Sequence, residues 1–349
     1  FALSSHRNGH QFIKDAYNKE IRNFVIAEEK YSEQYPDCNF IIVKDVLSAL
    51  QHLAIYHRTQ FNLKTIGITG SNGKTVVKEW LYQLLAADYN IVRSPKSYNS
   101  QIGVPLSVWQ IESENTLGVF EAGISAVNEM DVLAEIIRPQ IGILTNIGEA
   151  HAEGFSSKKE KLTQKLRLFK DADLLIYSPD YVKEVSLKDL PGKKQFSWSS
   201  KQQADLQIIA VEPIKTNCYL RAIYQDREIE CILPFKDKAS IENGMICWAT
   251  MLALGCSPEQ ADIRLEKLSP VSMRLELKNG INQCSIIDDS YSADISSLAI
   301  ALDFLNQQNQ HPKKTVILSE LFETGQDDLH LYTEIAGLLA QKKVDRLIG

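Results

Sequence analysis

The chain has 349 residues, 44% hydrophobic and 23% charged, and its 44 acidic side chains outnumber 38 lysines and arginines to give a formal charge of −6. The length suits two or three domains and the composition an ordinary globular chain. The acidic balance argues against a nucleic-acid scaffold, which needs a basic surface, but leaves room for a local basic pocket around a small anion. No apolar run reaches the ~18 residues of a membrane helix, so no membrane insertion is expected, and no signal peptide is recognisable. Six cysteines, none in a C-x-x-C pair or a zinc-type spacing, read as buried thiols of a reducing cytosol. The chain opens on Phe1 inside an apolar stretch and closes on VDRLIG, a strand just starting; both ends read as cut from a longer chain.

In chain order, two β-rich runs at 23–29 and 39–45 are followed by helical spacing over 44–61, with Val46, Leu47, Leu50, Leu53 and Ala54 on one stripe. From residue 64 strands and helices alternate. KTIGITG reads as a strand, 75–89 as a helix, 115–123 as a strand, and 128–139 as a helix stopped by Pro139. Then come a strand at 140–148, a helix at 156–173 with serine at its start, and a strand at 174–178. This alternation predicts an α/β fold with a mostly parallel, doubly wound sheet. Short β runs over 203–235 suggest an antiparallel flap or subsheet. A helix at 241–255 is closed by Gly255, and a second α/β unit begins near 270.

The stretch ITGSNGKT (68–75) carries the chemistry. It follows a strand and opens a helix, the setting in which glycine-rich backbone turns N–H groups toward a phosphate. It fails the usual G-x-x-x-x-G-K-[ST] spacing, because Ile68 stands where the first glycine belongs. The plain alternative, a strand-to-helix turn with an incidental lysine, is the minority reading given this placement. Glu121 ends the strand TLGVFE, at the rim where ligands bind parallel sheets. It could complete a magnesium site with Thr75, or be an ordinary edge-of-sheet carboxylate. His151 follows a strand at the same rim, and a lone histidine is more often structural. Lys165 lies among Lys158, Lys159 and Lys161, and spacing alone reads these as a solvated charged face.

TGSNGKT, SPKSYNSQIGVPLSVW, FEAGISAVNEMDVL and TNIGEAHAEGFSS, in that order, resemble successive motifs of the Mur ligases, ATP-dependent amide-forming enzymes of bacterial cell-wall synthesis. NGHQFI (8–13), IGVPL (102–106) and IIDDSYSADISSL (286–298) are similar to the members that join D-alanyl-D-alanine to UDP-N-acetylmuramoyl-tripeptide. The resemblance runs over nearly the whole chain. It implies a UDP-substrate domain (1–43), a central P-loop ATPase domain (44–269) and a Rossmann-like C-terminal domain (270–349), the first and last incomplete. It also implies a bacterial cytoplasmic protein, monomeric unless fused to a dimeric alanine racemase.

The resemblance further implies roles by position. Gly70, Ser71, Asn72, Gly73, Lys74 and Thr75 would cradle the ATP phosphates. Thr75 and Glu121 would hold one magnesium, and His151 a second. Lys165 would be carbamylated, turning a cation into a metal-binding carbamate. Asn243 would hold the adenine, Arg274 the phosphates and Asp289 the ribose, while Asn99 and Ser100 would meet the peptide. Lys74, His151, Lys165 and Arg274 would form the catalytic set. The chain departs from the family pattern at Arg167, where an acid is usual, at Asn128, at Ala239-Ser240, and at Ser292, Asp294 and Ile295; the carried-over roles are strongest at the phosphate and metal core. The rivals are another ligase of this type (a third-residue adder or a folylpolyglutamate synthetase), a phosphate-loop kinase or NTPase, and a nucleotide-binding module without catalysis.

Overall fold

In the computed structural model, the structure describes residues 1–4, 8–148, 154–214, 217–291, 295–308, 310–319 and 328–349. The chain starts with α1 (Ile13–Asn18), β1 (Asn23–Ile26), α2 (Lys30–Gln34) and β2 (Asn39–Ile42). β1 and β2 pair in parallel, with Asn23 opposite Asn39, over a small core of Ile13, Phe24 and Ile26. α3 (Val46–Thr59) then leads on, capped where the Asp45 carboxylate accepts from the Ser48 N–H at 2.7 Å.

The large sheet draws on β3 (Lys64–Thr69), β4 (Ile91–Arg93), β5 (Leu117–Glu121), β6 (Ile141–Leu144), β7 (Leu174–Tyr177), β8 (Lys194–Ser199), β9 (Leu206–Ile214), β10 (Asn217–Tyr224) and β11 (Arg227–Leu233). Between and after them lie α4 (Lys74–Leu85), α5 (Gly103–Val108), α6 (Met130–Ile137), α7 (Lys158–Leu166), α8 (Lys238–Ala253) and α9 (Pro258–Leu265). The strand order is β11-β10-β9-β8-β7-β6-β3-β5-β4. Pairing is parallel from β4 through β9 and antiparallel only at β9–β10–β11. β3 sits between β5 and β6, so connections leave it in both directions. The crevice beyond its C-terminal end is the switch point where doubly wound sheets bind ligands.

Both faces of this sheet are covered, which explains why β5 and β6 are buried at every residue. The period-two alternation of strand side chains sends Val119 to one face and Phe120 to the other. One core packs Val77, Trp80, Leu81 and Leu84 of α4 against Met245 and Trp248 of α8. The opposite core is built from Val104 and Val108 of α5, Leu133 and Ile137 of α6, and Leu162 and Leu166 of α7. Trp248 is fully buried in the first core. Its replacement by alanine is expected to lower stability by about 3–5 kcal/mol, read as an earlier midpoint in a urea unfolding curve.

After α9 come β12 (Glu276–Asn279), β13 (Ser285–Asp288), α10 (Ile295–Gln307), β14 (Thr315–Ile317), α11 (Asp328–Gln341) and β15 (Arg346–Ile348). β12 and β13 form an antiparallel pair, while β14 and β15 pair in parallel over a core of Leu302, Leu331, Ile335 and Leu339.

Several expected elements shift. The helix expected over 156–173 ends at Leu166 and tightens into a 3₁₀ turn, Arg167–Phe169. The helix expected from 241 starts three residues earlier, because the Asp237 carboxylate caps it by accepting from the Ser240 N–H at 2.8 Å. Gly255 does close that helical region, at φ +90°. The expected antiparallel subsheet is present but continuous with the parallel sheet, through the short parallel pairing of β8 with β9. The cysteines are only partly as expected. Cys218, Cys231 and Cys247 are buried, Cys38 and Cys256 half-buried, and Cys284 exposed; all six are free thiols.

Candidate functional site

The loop between β3 and α4 is a backbone turn that side chains would destroy. Gly70 has φ +149° and Gly73 φ +83°. A Cβ on Gly70 would lie 1.9 Å from Thr145 Oγ1, and one on Gly73 2.3 Å from Asn243 Oδ1. The loop rests on the segment leaving β6. The Ser71 N–H donates to the Asn146 carbonyl (2.8 Å), the Asn72 N–H to Asn146 Oδ1 (2.9 Å), and Thr145 Oγ1 to the Asn72 carbonyl (2.6 Å). These bonds fix the loop while the first N–H groups of α4, which have no intrahelical acceptor, face the crevice. Lys74 Nζ curls back to donate to the Gly70 and Ser71 carbonyls, both at 2.9 Å.

Thr75, one position into α4, meets Glu121 at the end of β5. Its hydroxyl donates to Glu121 Oε2 at 3.0 Å and shares a 2.7 Å hydrogen bond with Ser97 Oγ. Arg274 arrives from the segment after α9, with Nη2 2.8 Å from Ser97 Oγ and 3.4 Å from Thr75 Oγ1. Its guanidinium lies 4.3 Å from the centroid of the Tyr291 ring. Its neighbours Met273 and Leu275 hold φ values of +60° and +51°, left-handed backbone that aims the arginine inward. The Leu275 N–H donates to Asp289 Oδ1 at 3.2 Å, which places Asp289 beside Arg274.

Lys161 and Lys165 are not on a solvated face. Lys158 and Lys159 are exposed, but one helical turn on, Lys161 and Lys165 are 3% and 2% exposed and point at the loop. Lys165 Nζ donates to the Gly70 carbonyl at 3.2 Å, and Lys161 Nζ to the Gly148 carbonyl at 2.6 Å. Burial, followed by the nearby Lys74 and Lys161 charges, holds the Lys165 amine well below the usual lysine range. Asn243 stands against Gly73 from α8. The Asn99 carbonyl accepts from the Gly123 N–H (2.8 Å) and Ser100 Oγ from the Gly103 N–H (3.1 Å), so both are tied to the turns bordering β5 and α5. His151 lies outside the described residues. Sequence reasoning missed Ser97, Thr145, Asn146 and Lys78. Only Lys78 carried a readable signal, four residues after Lys74 on the same helix.

The donor set fits a nucleotide and a hard cation. Two glycines in backbone that side chains cannot share make a cradle at a helix N-terminus. Thr75, Ser97 and Glu121 present hydroxyl and carboxylate oxygens to one point, and magnesium prefers oxygen ligands completed by water and phosphate. Among the described residues no three His, Cys, Asp or Glu side chains gather into a metal cluster, so such a cation would rely on these hydroxyls and on non-protein oxygens.

Residues 68–251, over half the chain, match the Mur ligase middle domain. The chain belongs to the Mur ligase family. This Mur ligase is 28% identical, over 97% of its length, to UDP-N-acetylmuramoyl-tripeptide–D-alanyl-D-alanine ligase of Bacillus subtilis, of which it spans 74%. Its fold superposes on MurF of Acinetobacter baumannii with TM-score 0.84 and 22% identity, covering 99% of this chain and 76% of that one. MurF of Thermotoga maritima, in complex with ADP, gives TM-score 0.79 and 21% identity, covering 97% and 78%. The variant loop at 70–75 and the large, mostly parallel sheet are thus those of a Mur ligase.

Proposed function

We propose that this Mur ligase joins D-alanyl-D-alanine to UDP-N-acetylmuramoyl-tripeptide with consumption of ATP, a step in making the peptidoglycan precursor. The observation that carries the reaction class is the convergence of Lys74, Thr75, Glu121 and Arg274, from three separate chain segments, on one helix N-terminus. The choice of acceptor is supported by the names of the relatives that align over nearly the whole chain.

In this reading the tripeptide carboxylate attacks the γ-phosphorus of ATP, and the D-alanyl-D-alanine amine then displaces phosphate from the acyl phosphate. Magnesium, when bound, supplies charge that offsets repulsion between the approaching carboxylate and the phosphate oxygens. The protein mainly positions and stabilises charge. Lys74 gives up its two loop carbonyls for phosphate oxygens, and the N–H groups that open α4 align beside it. Arg274 adds a second cation from the far side. Thr75 and Glu121 would hold the metal, with Lys165 as a carbamate and His151 serving a second metal. Asn243 and Asp289 take the adenosine, and Asn99 and Ser100 the peptide. Residues 1–43 would bind the UDP moiety, 44–269 ATP and 270–349 close the site. Nucleotide-linked substrates suit a reaction in the bacterial cytoplasm, with the chain a monomer unless it is fused to a dimeric alanine racemase.

The test is phosphate release from ATP with UDP-N-acetylmuramoyl-tripeptide ending in diaminopimelate or in lysine, with and without D-alanyl-D-alanine. Release that depends on the dipeptide and yields the UDP-linked pentapeptide is expected. Release without amide formation would instead identify an NTPase, and ADP formation with the phosphoryl group kept on an acceptor would identify a kinase.

A further inference from the structure

Lys78 is a fully buried lysine outside every role assigned above. It lies on α4, one turn beyond Lys74, and is 0% exposed. Its Nζ is 3.1 Å from Glu121 Oε1 and 2.9 Å from Glu79 Oε1, and it donates to the carbonyls of Ser94 (2.6 Å) and Lys96. An ammonium taken wholly out of water is costly unless paired and hydrogen-bonded. A site that only needed packing at this point would be filled more cheaply by an apolar side chain. The arrangement therefore calls for a reason local to its partners.

Those partners, Glu79 apart, belong to the site itself. Glu121 is also 0% exposed, and its two oxygens are divided: Oε1 faces Lys78 and Oε2 accepts from Thr75. Oε1 has no hydrogen-bond donor among the described residues, so the ion pair with Lys78 is what faces it. The two carbonyls that Lys78 holds bracket the turn after β4, where Lys96 takes the left-handed φ of +49°. The next residue, Ser97, is the hydroxyl that meets Thr75 and Arg274. Ser94 closes the link a second way, its Oγ accepting from the Glu121 N–H at 3.1 Å.

We infer that Lys78 is a positioning residue for cation binding: it pins one oxygen of Glu121 and the turn before Ser97, leaving the other carboxylate oxygen turned to Thr75. The inference rests on the reading of this site as one for a magnesium-bound nucleotide. It concerns the cation, not the identity of the acceptor, and it predicts a specific pattern. Outer partners of metal ligands set ligand orientation, and their loss costs metal affinity roughly 10–100-fold.

The experiment titrates magnesium chloride into the full chain with a fluorescent ATP analogue at fixed concentration, and repeats the binding in EDTA. Variants are Lys78→Met, Glu121→Gln and the double variant, with thermal unfolding recorded for each. Lys78→Met should move the magnesium midpoint up by roughly 10–100-fold while binding in EDTA changes little. In the Glu121→Gln background the same substitution should shift the midpoint by no more than about twofold, because coupled residues are non-additive. An unchanged magnesium midpoint in folded Lys78→Met overturns the inference. So does an equal shift in both backgrounds, which would leave Lys78 a prop for the turn alone. Should Lys78→Met fail to fold with Glu121 left as a lone buried charge, the double variant, compared with Glu121→Gln alone, still decides whether Lys78 acts beyond Glu121. Ligation of D-alanyl-D-alanine is scored separately on the unaltered chain, so its absence would overturn the proposed reaction and not the role of Lys78.

Discussion

Replacing Lys74 with alanine is expected to lower ATP-dependent ligation by at least ~10³-fold, the upper end of what loss of one preorganised charge donor costs, while the fold and binding of the UDP-linked substrate are retained. The ammonium sits on two carbonyls of its own loop and is half-buried. When it is removed, the loop stays held by Asn146 and Thr145. The change should therefore appear in chemistry and not in stability. Steady-state phosphate release, calorimetric binding of the UDP-linked tripeptide and a thermal melt check the three parts separately. Retained ligation in a folded Lys74→Ala variant would sink the assignment of this loop. Loss of UDP-substrate binding alongside activity would show that the loop shapes the substrate site as well.

The parts of the site legible in the sequence are those built locally. A strand, two glycines and Gly-Lys-Thr opening a helix are contiguous, so the cradle could be read without knowing what packs on it. Glu121 was legible because a carboxylate closing a buried parallel strand has few places to go but the crevice. What tertiary packing creates was not legible. Lys161 and Lys165 stand in a lysine-rich helix that reads as solvated, and only the docking of α7 over the Gly70 and Gly148 carbonyls buries them. Ser97 follows a strand of three residues, too short to announce itself. β8 was missed because it opens on the exposed polar pair Lys194 and Gln195, and only the four residues from Phe196 to Ser199 turn inward or partly so. α9 buries just Ala261 and Leu265, less than a periodic stripe. The left-handed φ values flanking Arg274 fall on methionine and leucine, residues that give no turn signal.

Replacing Lys165 is expected to separate activity from stability in opposite directions. Lys165→Ala should remove ligation, with short carboxylates such as acetate restoring part of it by entering the space left beside the loop, since the proposed function of the side chain is to present a carbamate oxygen. Lys165→Met, which keeps the volume, should be equally inactive but melt higher than the unaltered chain near neutral pH. Burial, then Lys74 and Lys161, hold the folded-state pKa well below the usual 10.5. Between that lowered value and 10.5 the unfolded chain binds one more proton than the folded chain at this position, so stability rises with pH across the window. Lys165 thus costs stability at neutral pH, and the cost fades as pH approaches 10.5. The gain from Lys165→Met should be largest near pH 7 and shrink toward pH 10.5, measured by thermal unfolding in carbonate-free buffer. A methionine variant that melts lower at every pH would mean that the amine's bond to the Gly70 carbonyl outweighs its desolvation, and that Lys165 serves the fold. A variant more stable and inactive would mean that the chain keeps a buried lysine, near Lys74 and Lys161, for its chemistry alone.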